Sequence, residues 1–265
     1  MTGELDCRLL DWDSEFFRCR IARVEVAKPG ASGMEAVLEH ARAERIDCLY
    51  LLLDGSDVDT ARAAEATGFR CVDVRLTLER TLVGIATEMP AEVEAFRSAD
   101  LPRLRSIART SHGASRFYHD PHFPSERCDA LYDAWITRSC TETPENVLVV
   151  RRDDVAVSYL TCDLDSSRVG SIGLVAVAEA ERGKHLGNAL LEASLVWFAR
   201  QGCKRVQVVT QERNRAASRL YEGYGFRSIR RENWYHLWPD REWPAEGASE
   251  PESADRGTPR STEGR

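Results

Sequence analysis

The sequence of 265 residues predicts a mixed α/β fold in which a smaller αβ region precedes a larger one. The first observation behind this prediction is that helical and strand patterns alternate along the chain. The second is an internal repeat, because the order strand, helix, Gly-Phe, strand occurs twice. The third is a composition of 43% hydrophobic and 30% charged residues, which is typical of a globular protein.

The smaller region, residues 1–85, contains four recognisable elements. Residues 34–45 are rich in Ala, Glu and Arg, which have high helix propensity. Residues 47–53 form an apolar run that is typical of a buried strand. We then expect a helix over 60–66, ended by a glycine, and a half-buried strand over 71–78 with alternating apolar residues.

The larger region, residues 86–240, begins with helical patterns. One covers residues 91–110, where Pro102 should break or restart it, and one covers 125–139. The remaining elements are a hairpin over 147–151 and 156–162, a strand over 171–177, a helix over 186–199, a strand over 205–210, a helix over 215–222 and a strand over 228–237. Residues 241–265 have almost no large apolar side chain, so we expect a disordered tail.

Charge, cysteine and hydropathy patterns exclude several classes of protein. A net charge of −7 disfavours a nucleic-acid scaffold, because duplex binding needs clustered Lys and Arg, but it allows a local basic pocket. The eight cysteines are scattered without a CxxC pair, so we expect buried thiols and no zinc site. The start of the sequence lacks a signal-peptide pattern and no apolar stretch could span a bilayer, so we expect a cytoplasmic protein without a membrane partner.

The internal repeat has a constant offset, since residues 49–70 match a segment that lies 157 residues later. It is either a degenerate half-domain or a coincidence between two ordinary αβ units. Ala64 and Asp57 in the first copy stand where the second copy has Tyr221 and Asn214. If the repeat is real, we expect the first copy to have no catalytic role.

The first feature that carries chemistry is a turn entering a helix. An apolar strand that ends at Val177 is followed by residues 181–189, Glu-Arg-Gly-Lys-His-Leu-Gly-Asn-Ala. A glycine-containing turn at a helix N-terminus directs several free main-chain N–H groups at one point. The pattern predicts a diphosphate site, although glycines before helices are also often simple turns.

The second feature is the segment 214–226, which reads Asn-Arg-Ala-Ala-Ser-Arg-Leu-Tyr and ends in Gly-Phe. Asn214 is a favourable N-cap, and Ala217 and Tyr221 lie on one face of the helix that follows. A small residue below a phenol leaves a slot with a proton donor at its end. The alternative is an amphipathic helix with a packed tyrosine.

Together these segments resemble the GNAT superfamily of acetyl-CoA-dependent N-acetyltransferases. Family motif A, a strand followed by (Gln/Arg)-x-x-Gly-x-(Gly/Ala), falls on Arg182, His185 and Gly187. Motif B, Asn-x-x-Ala-x-x-Leu-Tyr and Gly-Phe, is matched throughout from Asn214 to Phe226, and the resemblance covers about ninety residues. His185 replaces the first family glycine; we expect its amide to serve if its backbone is helical, and its ring to be partly exposed and not catalytic.

The resemblance implies a GNAT fold, acetyl-CoA as cosubstrate, and direct attack by a primary amine without a covalent enzyme intermediate. Two strands would separate to admit pantetheine, which main-chain groups of Val175 and Val177 would bind. An N–H near Val175 or Ala176 would polarise the thioester carbonyl, and Tyr221 would protonate the leaving thiolate. The implied cofactor-binding residues are Leu174, Val175, Ala176, Val177, Arg182, Gly183, Lys184, His185, Leu186, Gly187, Asn188, Asn214 and Ala217.

Polar and aromatic segments outside this core indicate the acceptor. With the whole-chain layout, they resemble more loosely the branch typified by dTDP-4-amino-4,6-dideoxygalactose (fucosamine) N-acetyltransferase. This implies a nucleotide-sugar acceptor, which needs aromatic planes and a guanidinium. The predicted substrate-binding residues are Glu15, Phe17, Arg116, Phe117, His119, His122 and Phe123. Alternatively, residues 115–124 are an ordered connector whose aromatic side chains fill the core.

Several alternatives stay open. The general base is not identifiable among Glu15, Asp120, His119 and His122. Flanking prolines and the metal-free family chemistry disfavour a metal at His119-Asp120-x-His122, so we expect no metal. A different amine, such as an aminoglycoside or a protein N-terminus, and a homodimer are open as well. A non-catalytic acetyl-CoA-binding module is disfavoured, because binding alone has no use for Tyr221.

Overall fold

Ten strands form a single sheet in the part of the chain that the computed structural model describes, residues 7–25, 31–165 and 167–243. The strands are β1 (Cys7–Leu9), β2 (Ile21–Val24), β3 (Cys48–Asp54), β4 (Arg70–Thr81), β5 (Val93–Ala95), β6 (Val147–Arg152), β7 (Val155–Leu164), β8 (Val169–Val177), β9 (Arg205–Gln211) and β10 (Arg227–Leu237). Their order across the sheet is β1-β2-β3-β10-β4-β9-β8-β7-β6-β5. The pairs β2–β3 and β8–β9 are parallel and the other neighbours are antiparallel. The predicted mixed α/β fold is confirmed.

Helices cover both faces of this sheet. They are α1 (Asp11–Phe17), α2 (Ala31–Ala43), α3 (Val58–Ala66), α4 (Leu101–Ser111), α5 (Ser125–Glu142), α6 (Leu186–Arg200) and α7 (Arg215–Gly223). Helices α1, α4 and α5 pack on one face, called here the α4 face, and share one apolar cluster. Helices α2, α3, α6 and α7 pack on the opposite face, the α6 face. Within the described ranges no helix is long and apolar enough to cross a membrane.

The structure corrects the prediction of a helical segment over residues 91–110. Val93–Ala95 forms the edge strand β5, which pairs with β6, and α4 begins only at Leu101. Pro102 lies in the first turn of α4, where its missing N–H costs no helical hydrogen bond. The proline therefore restarts the helix and does not interrupt one.

The internal repeat is a repeat of structure. Strand β9, helix α7 and strand β10 begin 157 residues after β3, α3 and β4 respectively. Both helices are capped alike, because the Asp57 side chain accepts from the Thr60 N–H at 3.2 Å and the Asn214 side chain accepts from the Ala217 N–H at 3.1 Å. Each helix is followed by a glycine with positive φ, +99° and +82°, and by a fully buried phenylalanine. This agreement favours the degenerate half-domain over a coincidence.

The two copies exchange their last strands. Strand β10 lies between β3 and β4, and β4 lies between β10 and β9. Residues on both sides of position 85 therefore share one sheet, and the division into regions 1–85 and 86–240 stays a prediction. From residue 244 onward, the predicted tail 241–265 lies outside the described residues.

Candidate active site

The parallel strands of the second copy separate partway along their length. Strand β8 pairs with β9 from Val169 to Ile172. Beyond that point β8 follows β7, with Val175 opposite Leu160 and Val177 opposite Ser158. A gap, called here the wedge, opens between residues 173–177 and the end of β9, in agreement with the separation that the family resemblance implies.

A β-bulge at Gly173 starts the wedge. The register between β7 and β8 shifts here, and the Leu174 N–H donates to the Thr161 hydroxyl at 2.8 Å. A Cβ at Gly173 would lie 2.5 Å from Thr161 Oγ1 and 2.9 Å from Asp163 Oδ2, so only glycine fits. Sequence reasoning missed this residue, although a glycine inside a strand pattern is itself a signal for a bulge.

Beyond the bulge, the main-chain N–H and C=O groups of two residues of β8 face the wedge. The Ala178 N–H donates to the Val157 carbonyl at 2.8 Å, which marks a hydrogen-bonded pair of the antiparallel ladder. Because such pairs alternate with non-hydrogen-bonded ones, Ala176 is the next residue bonded to β7. The N–H and C=O groups of Val175 and Val177 therefore point toward the wedge.

The wedge forms the floor of a cleft of about 720 Å³. Its walls come from the end of α4 and the loop after it, from α5, from the turn before α6 and from α7. The structure brings nine of the predicted cofactor and catalytic residues to this cleft: Leu174, Val175, Ala176, Val177, Arg182, Gly187, Asn214, Ala217 and Tyr221.

The turn before α6 presents a row of free amides. Within this fully described segment, the main-chain N–H groups of residues 183–187 donate to no protein acceptor. They sit at the positive end of the α6 dipole, where anions bind readily. The Asn188 N–H donates to the His185 carbonyl at 2.9 Å, so the row of free donors ends at Gly187.

His185 does not have the helical backbone on which its expected role depended. Its φ is 60° and its ψ is 16°, the left-handed conformation that glycine adopts easily. The left-handed conformation explains why the family pattern has glycine at this position. A residue with a side chain, such as His185, destabilises the folded state by about 1–2 kcal/mol in this conformation. Its ring is exposed, and Lys184 beside it pairs with Glu181 at 3.0 Å.

Helix α7 supplies the phenol. Tyr221 is 5% exposed, lines the cleft, and makes no hydrogen bond through its hydroxyl with any described group. Burial raises the pKa of Tyr221, so the phenol is protonated throughout the neutral range. Ala217 lies one turn earlier, and the Asn214 carboxamide oxygen is occupied by the helix cap, which leaves the Asn214 NH₂ as its free donor.

Sequence reasoning missed His112, which lines the cleft from the loop after α4. Its ring stacks on Tyr132 with a centroid distance of 4.2 Å, and its Nε2 shares a hydrogen bond of 3.1 Å with the Tyr159 hydroxyl. Burial lowers the pKa of His112 to about 4, so the imidazole is neutral at pH 7. No local pattern marks this residue, because its partners come from α5 and β7.

The predicted substrate-binding residues lie elsewhere. Phe17, Phe117 and Phe123 are buried in the apolar cluster of the α4 face, with ring centroids 4.5–5.6 Å apart. Glu15 and His119 are exposed, and neither lines the cleft. The three rings are occupied by core packing and offer no free face for a nucleotide base, which favours the ordered connector that we left open.

Asp120 is the centre of a buried network that fixes this connector to β10. Arg116 Nη1 donates to His236 Nε2 at 2.9 Å, so the His236 proton is assigned to Nδ1, which donates to Asp120 at 2.6 Å. Trp238 and His122 also donate to Asp120, at 2.9 Å each. Although burial opposes it, the hydrogen bonds from His236 and Trp238 hold the pKa of Asp120 below its usual value. Both carboxylate oxygens are occupied, so this network is structural.

Comparisons with known proteins agree with the geometry of the cleft. Residues 103–226 match the acetyltransferase (GNAT) family. The spore coat polysaccharide biosynthesis protein SpsD of Bacillus subtilis is 21% identical over 239 residues, which cover 87% of this chain and 82% of that protein. N-alpha-acetyltransferase 30 of Saccharomyces cerevisiae is 31% identical over 88 residues, which cover 32% of this chain and 50% of that protein.

Among solved structures, a GCN5-related N-acetyltransferase from Sphaerobacter thermophilus aligns with a TM-score of 0.63 at 19% identity, covering 88% of this chain and 76% of that chain. Identity at this level shows a shared fold and carries no information on the substrate. Residues 103–226 thus form an acetyltransferase domain of the GNAT type, and the chain has the fold of GNAT N-acetyltransferases.

Proposed function

We propose that this N-acetyltransferase moves an acetyl group from acetyl-CoA to the amino group of a nucleotide-linked aminosugar of the dTDP-4-amino-4,6-dideoxyhexose type. The observation that carries the proposal is the set of unpaired polar groups along the cleft. They are the N–H groups of residues 183–187, the main-chain groups of Val175 and Val177, and the phenol of Tyr221.

The cleft fits acetyl-CoA, which enzymes of the GNAT family use. The five free amides at residues 183–187 and the α6 dipole suit a diphosphate. The free edge of β8 at Val175 and Val177 suits the amide groups of pantetheine, which bind as an added strand would. A bound acetyl-CoA supplies an activated thioester.

The residues of the cleft then have separate roles in the transfer. The Val175 N–H faces the wedge and is placed to donate to the developing oxyanion, whereas the Ala176 N–H is directed at β7. Tyr221 keeps its proton at neutral pH and donates it toward the leaving sulfur.

Two observations support a sugar as the acceptor. The cleft opposite β8 is lined by hydroxyl and carboxamide side chains, those of Thr110, Ser111, Ser115, Thr210 and Gln211. Such groups can form hydrogen bonds with the hydroxyls of a sugar, whereas an apolar acceptor would leave them unpaired. In addition, SpsD, similar to this chain over most of its length, is named for polysaccharide biosynthesis.

The test is a mass measurement on the product. The protein is incubated with acetyl-CoA and dTDP-4-amino-4,6-dideoxygalactose, and in parallel with an aminoglycoside and with a peptide that has a free N-terminus. We expect the nucleotide sugar to gain one acetyl group faster than the other two acceptors. Acetylation of the peptide or aminoglycoside alone would refute the sugar assignment, and no acetylation of any acceptor would refute the proposed transfer.

A further inference from the structure

Polar side chains line the α4 face of the sheet directly beside the cleft. Alternate residues of β4, namely Asp73, Arg75 and Thr77, share one face. In the sheet register Arg75 lies opposite Gln211 and Thr77 opposite Val209, and both partners line the cleft. Opposite residues of neighbouring strands lie on the same face, so this part of β4 continues the cleft floor by one strand.

Strand β10 extends the same face on the other side of β4. Glu232 lies opposite Arg75, and Trp234 lies opposite Asp73. Trp234 packs on the apolar cluster of the α4 face, which confirms the side of the sheet. We call the set Asp73, Arg75, Thr77 and Glu232 the polar row.

Every member of the polar row has a buried atom without a hydrogen-bond partner. These atoms are Asp73 Oδ1, Arg75 Nε, Thr77 Oγ1 and Glu232 Oε2. The hydroxyls of Ser111 and Ser115, in the wall of the cleft, are unpaired as well. Buried unpaired polar groups are rare in folded proteins, and a concentration of them marks a place where a ligand or ordered water completes the bonding.

The charges of the polar row are only loosely paired. Arg75 Nε lies 3.8 Å from Glu232, and Arg213 Nε lies 3.5 Å from Asp73 Oδ1, both too long for a hydrogen bond. Arg213 follows β9, and about a third of its side chain is exposed. One hydrogen bond, from Nη2 to the Val72 carbonyl at 2.7 Å, holds the guanidinium beside Asp73, so it can move away without unfolding any element. A cationic group of a ligand can therefore replace it.

Asp73 is the strongest candidate to hold such a group. Only 3% of the residue is exposed, and burial raises the pKa of Asp73 to about 6 against the lowering effect of Arg213. Burial raises the pKa of Tyr132, which lines the cleft, to about 12, and the negative charge of Asp73 contributes to this increase. Asp73 therefore lies close enough to the cleft to act on it electrostatically. A buried carboxylate with a free oxygen gains most from an ammonium or amine donor.

We propose that the polar row is the acceptor site of this transferase and that the Asp73 carboxylate binds the attacking amino group, with Thr77 and Glu232 bonding neighbouring hydroxyls of a polyhydroxylated amine. The inference rests on the proposed function, which supplies the reaction. Gln211 joins the site to the cleft, where Tyr221 and the wedge hold the acetyl donor. An aminosugar has both groups that this site requires, an amine and adjacent hydroxyls.

Asp73→Asn is the direct test, because it keeps the size of the side chain and removes its charge. With dTDP-4-amino-4,6-dideoxygalactose as acceptor, we expect kcat/KM for the acceptor to fall about 10- to 100-fold, the effect of one charged hydrogen bond. The Kd for acetyl-CoA, measured by calorimetry, should stay within about twofold because the variant leaves the donor side of the cleft intact. Unchanged acceptor kinetics would overturn the inference.

Arg213→Gln is the matched control. It removes the ion-pair partner of Asp73 and leaves the carboxylate in place. If Asp73 only anchors the turn that leads to Asn214, both variants should lose activity equally, with a weaker Kd for acetyl-CoA. We expect Arg213→Gln to keep kcat/KM within about threefold of wild type, because Arg213 makes no hydrogen bond to Asp73 and, in the proposed complex, the acceptor amine replaces it there. Equal losses in the two variants would contradict a role in amine binding.

Thr77→Val separates binding from folding. An unpaired buried hydroxyl replaced by a methyl group of the same shape should leave the melting temperature unchanged or raise it. We nevertheless expect KM for the acceptor to rise about 3- to 10-fold, from the loss of a neutral hydrogen bond. An unchanged KM would contradict the proposed site.

The same measurements distinguish this inference from the proposed function. A wild-type protein that neither binds acetyl-CoA nor acetylates any of the three acceptors would refute the function itself. Normal acetylation by wild type combined with wild-type kinetics of Asp73→Asn would refute the acceptor site alone. If the panel selects the aminoglycoside or the peptide, the variants are measured with that acceptor, and the same outcomes decide.

Discussion

The two copies of the repeat have the same framework and different chemistry. In each, a parallel pair joins four residues to four: Ile21–Val24 of β2 to residues 48–51, and residues 169–172 of β8 to residues 205–208. Strand β2 ends there, whereas β8 continues for five more residues along β7 and away from β9. The wedge therefore comes from the extra length of β8, which continues along β7 after its pairing with β9 has ended.

The helices of the two copies differ in the same way. Both begin with a capping side chain and end before a glycine, but the buried position that holds Tyr221 in α7 holds Ala64 in α3. Residues 26–30, between β2 and α2, lie outside the described part of the chain, so the comparison rests on the strands and the caps. It shows that a duplicated fold needs only a few local changes to gain or lose a site.

Of the variants that test this comparison, Tyr221→Phe should have the largest effect on activity, because it removes the phenol hydroxyl that α3 lacks. We expect kcat to fall about 10²- to 10⁴-fold, the usual contribution of a general acid. The Kd for acetyl-CoA should stay within about twofold, because the phenol acts on the leaving group. Thiol release from acetyl-CoA measures kcat. Tyr224→Phe, directly after the same helix, is the control, and equal rates for Tyr221→Phe and wild type would exclude the general-acid role.

Gly173→Ala should have the second-largest effect, because the added methyl group disrupts the bulge at which the wedge begins. The added Cβ would lie 2.5 Å from Thr161 Oγ1, so we expect a loss of about 1–3 kcal/mol in the free energy of unfolding. We also expect the Kd for acetyl-CoA to rise about tenfold or more, as the Val175 amide moves. Gly223→Ala, where a Cβ meets nothing within 4 Å, is the matched control. Wild-type affinity of the Gly173→Ala protein for acetyl-CoA would show that the bulge is not needed for binding.

Asn214→Ala and Asp57→Ala compare the two caps directly. Each removes one hydrogen bond, of 3.1 Å and 3.2 Å respectively, so each should lower the free energy of unfolding by about 1 kcal/mol. Only Asn214→Ala should raise the KM for acetyl-CoA, since among the residues that the structure describes only the second copy has a wedge. Urea denaturation and steady-state kinetics measure the two effects. A similar KM change in both variants would mean that the caps act through stability alone.

The smallest effect concerns the left-handed residue before α6. His185→Gly should be more stable than His185→Ala by about 1 kcal/mol, because only glycine is free of the cost of a positive φ. Both variants keep the main-chain amide, so the KM for acetyl-CoA should stay within about twofold of wild type. Equal free energies of unfolding for the two variants would show that the turn relaxes and that the left-handed conformation is not enforced.

Sequence patterns predicted the parts of this molecule that depend on local interactions. The second-copy strands and helices, the cap at Asn214 and the pairing of Ala217 with Tyr221 all follow from spacing within one element. The turn before α6 was predicted for the same reason, since its glycines and the helix that follows are adjacent in sequence.

The rest could not be predicted, because it depends on contacts between distant segments. The exchange of β4 and β10 is a matter of strand order, which periodicity does not encode. His112 becomes a cleft residue only through Tyr132 and Tyr159, and the aromatic residues of the connector are core residues only because β10 and α1 surround them. A buried aromatic ring and a ligand-binding one have the same sequence signature.

Amide hydrogen exchange with and without acetyl-CoA tests the central claim most directly. The N–H groups of residues 183–187 have no protein acceptor in the free chain, so they should exchange quickly. We predict that acetyl-CoA slows their exchange strongly, together with that of Val175, and leaves the α3 segment of the first copy unchanged. Tight binding of acetyl-CoA without protection at residues 183–187 would contradict the account of the cleft.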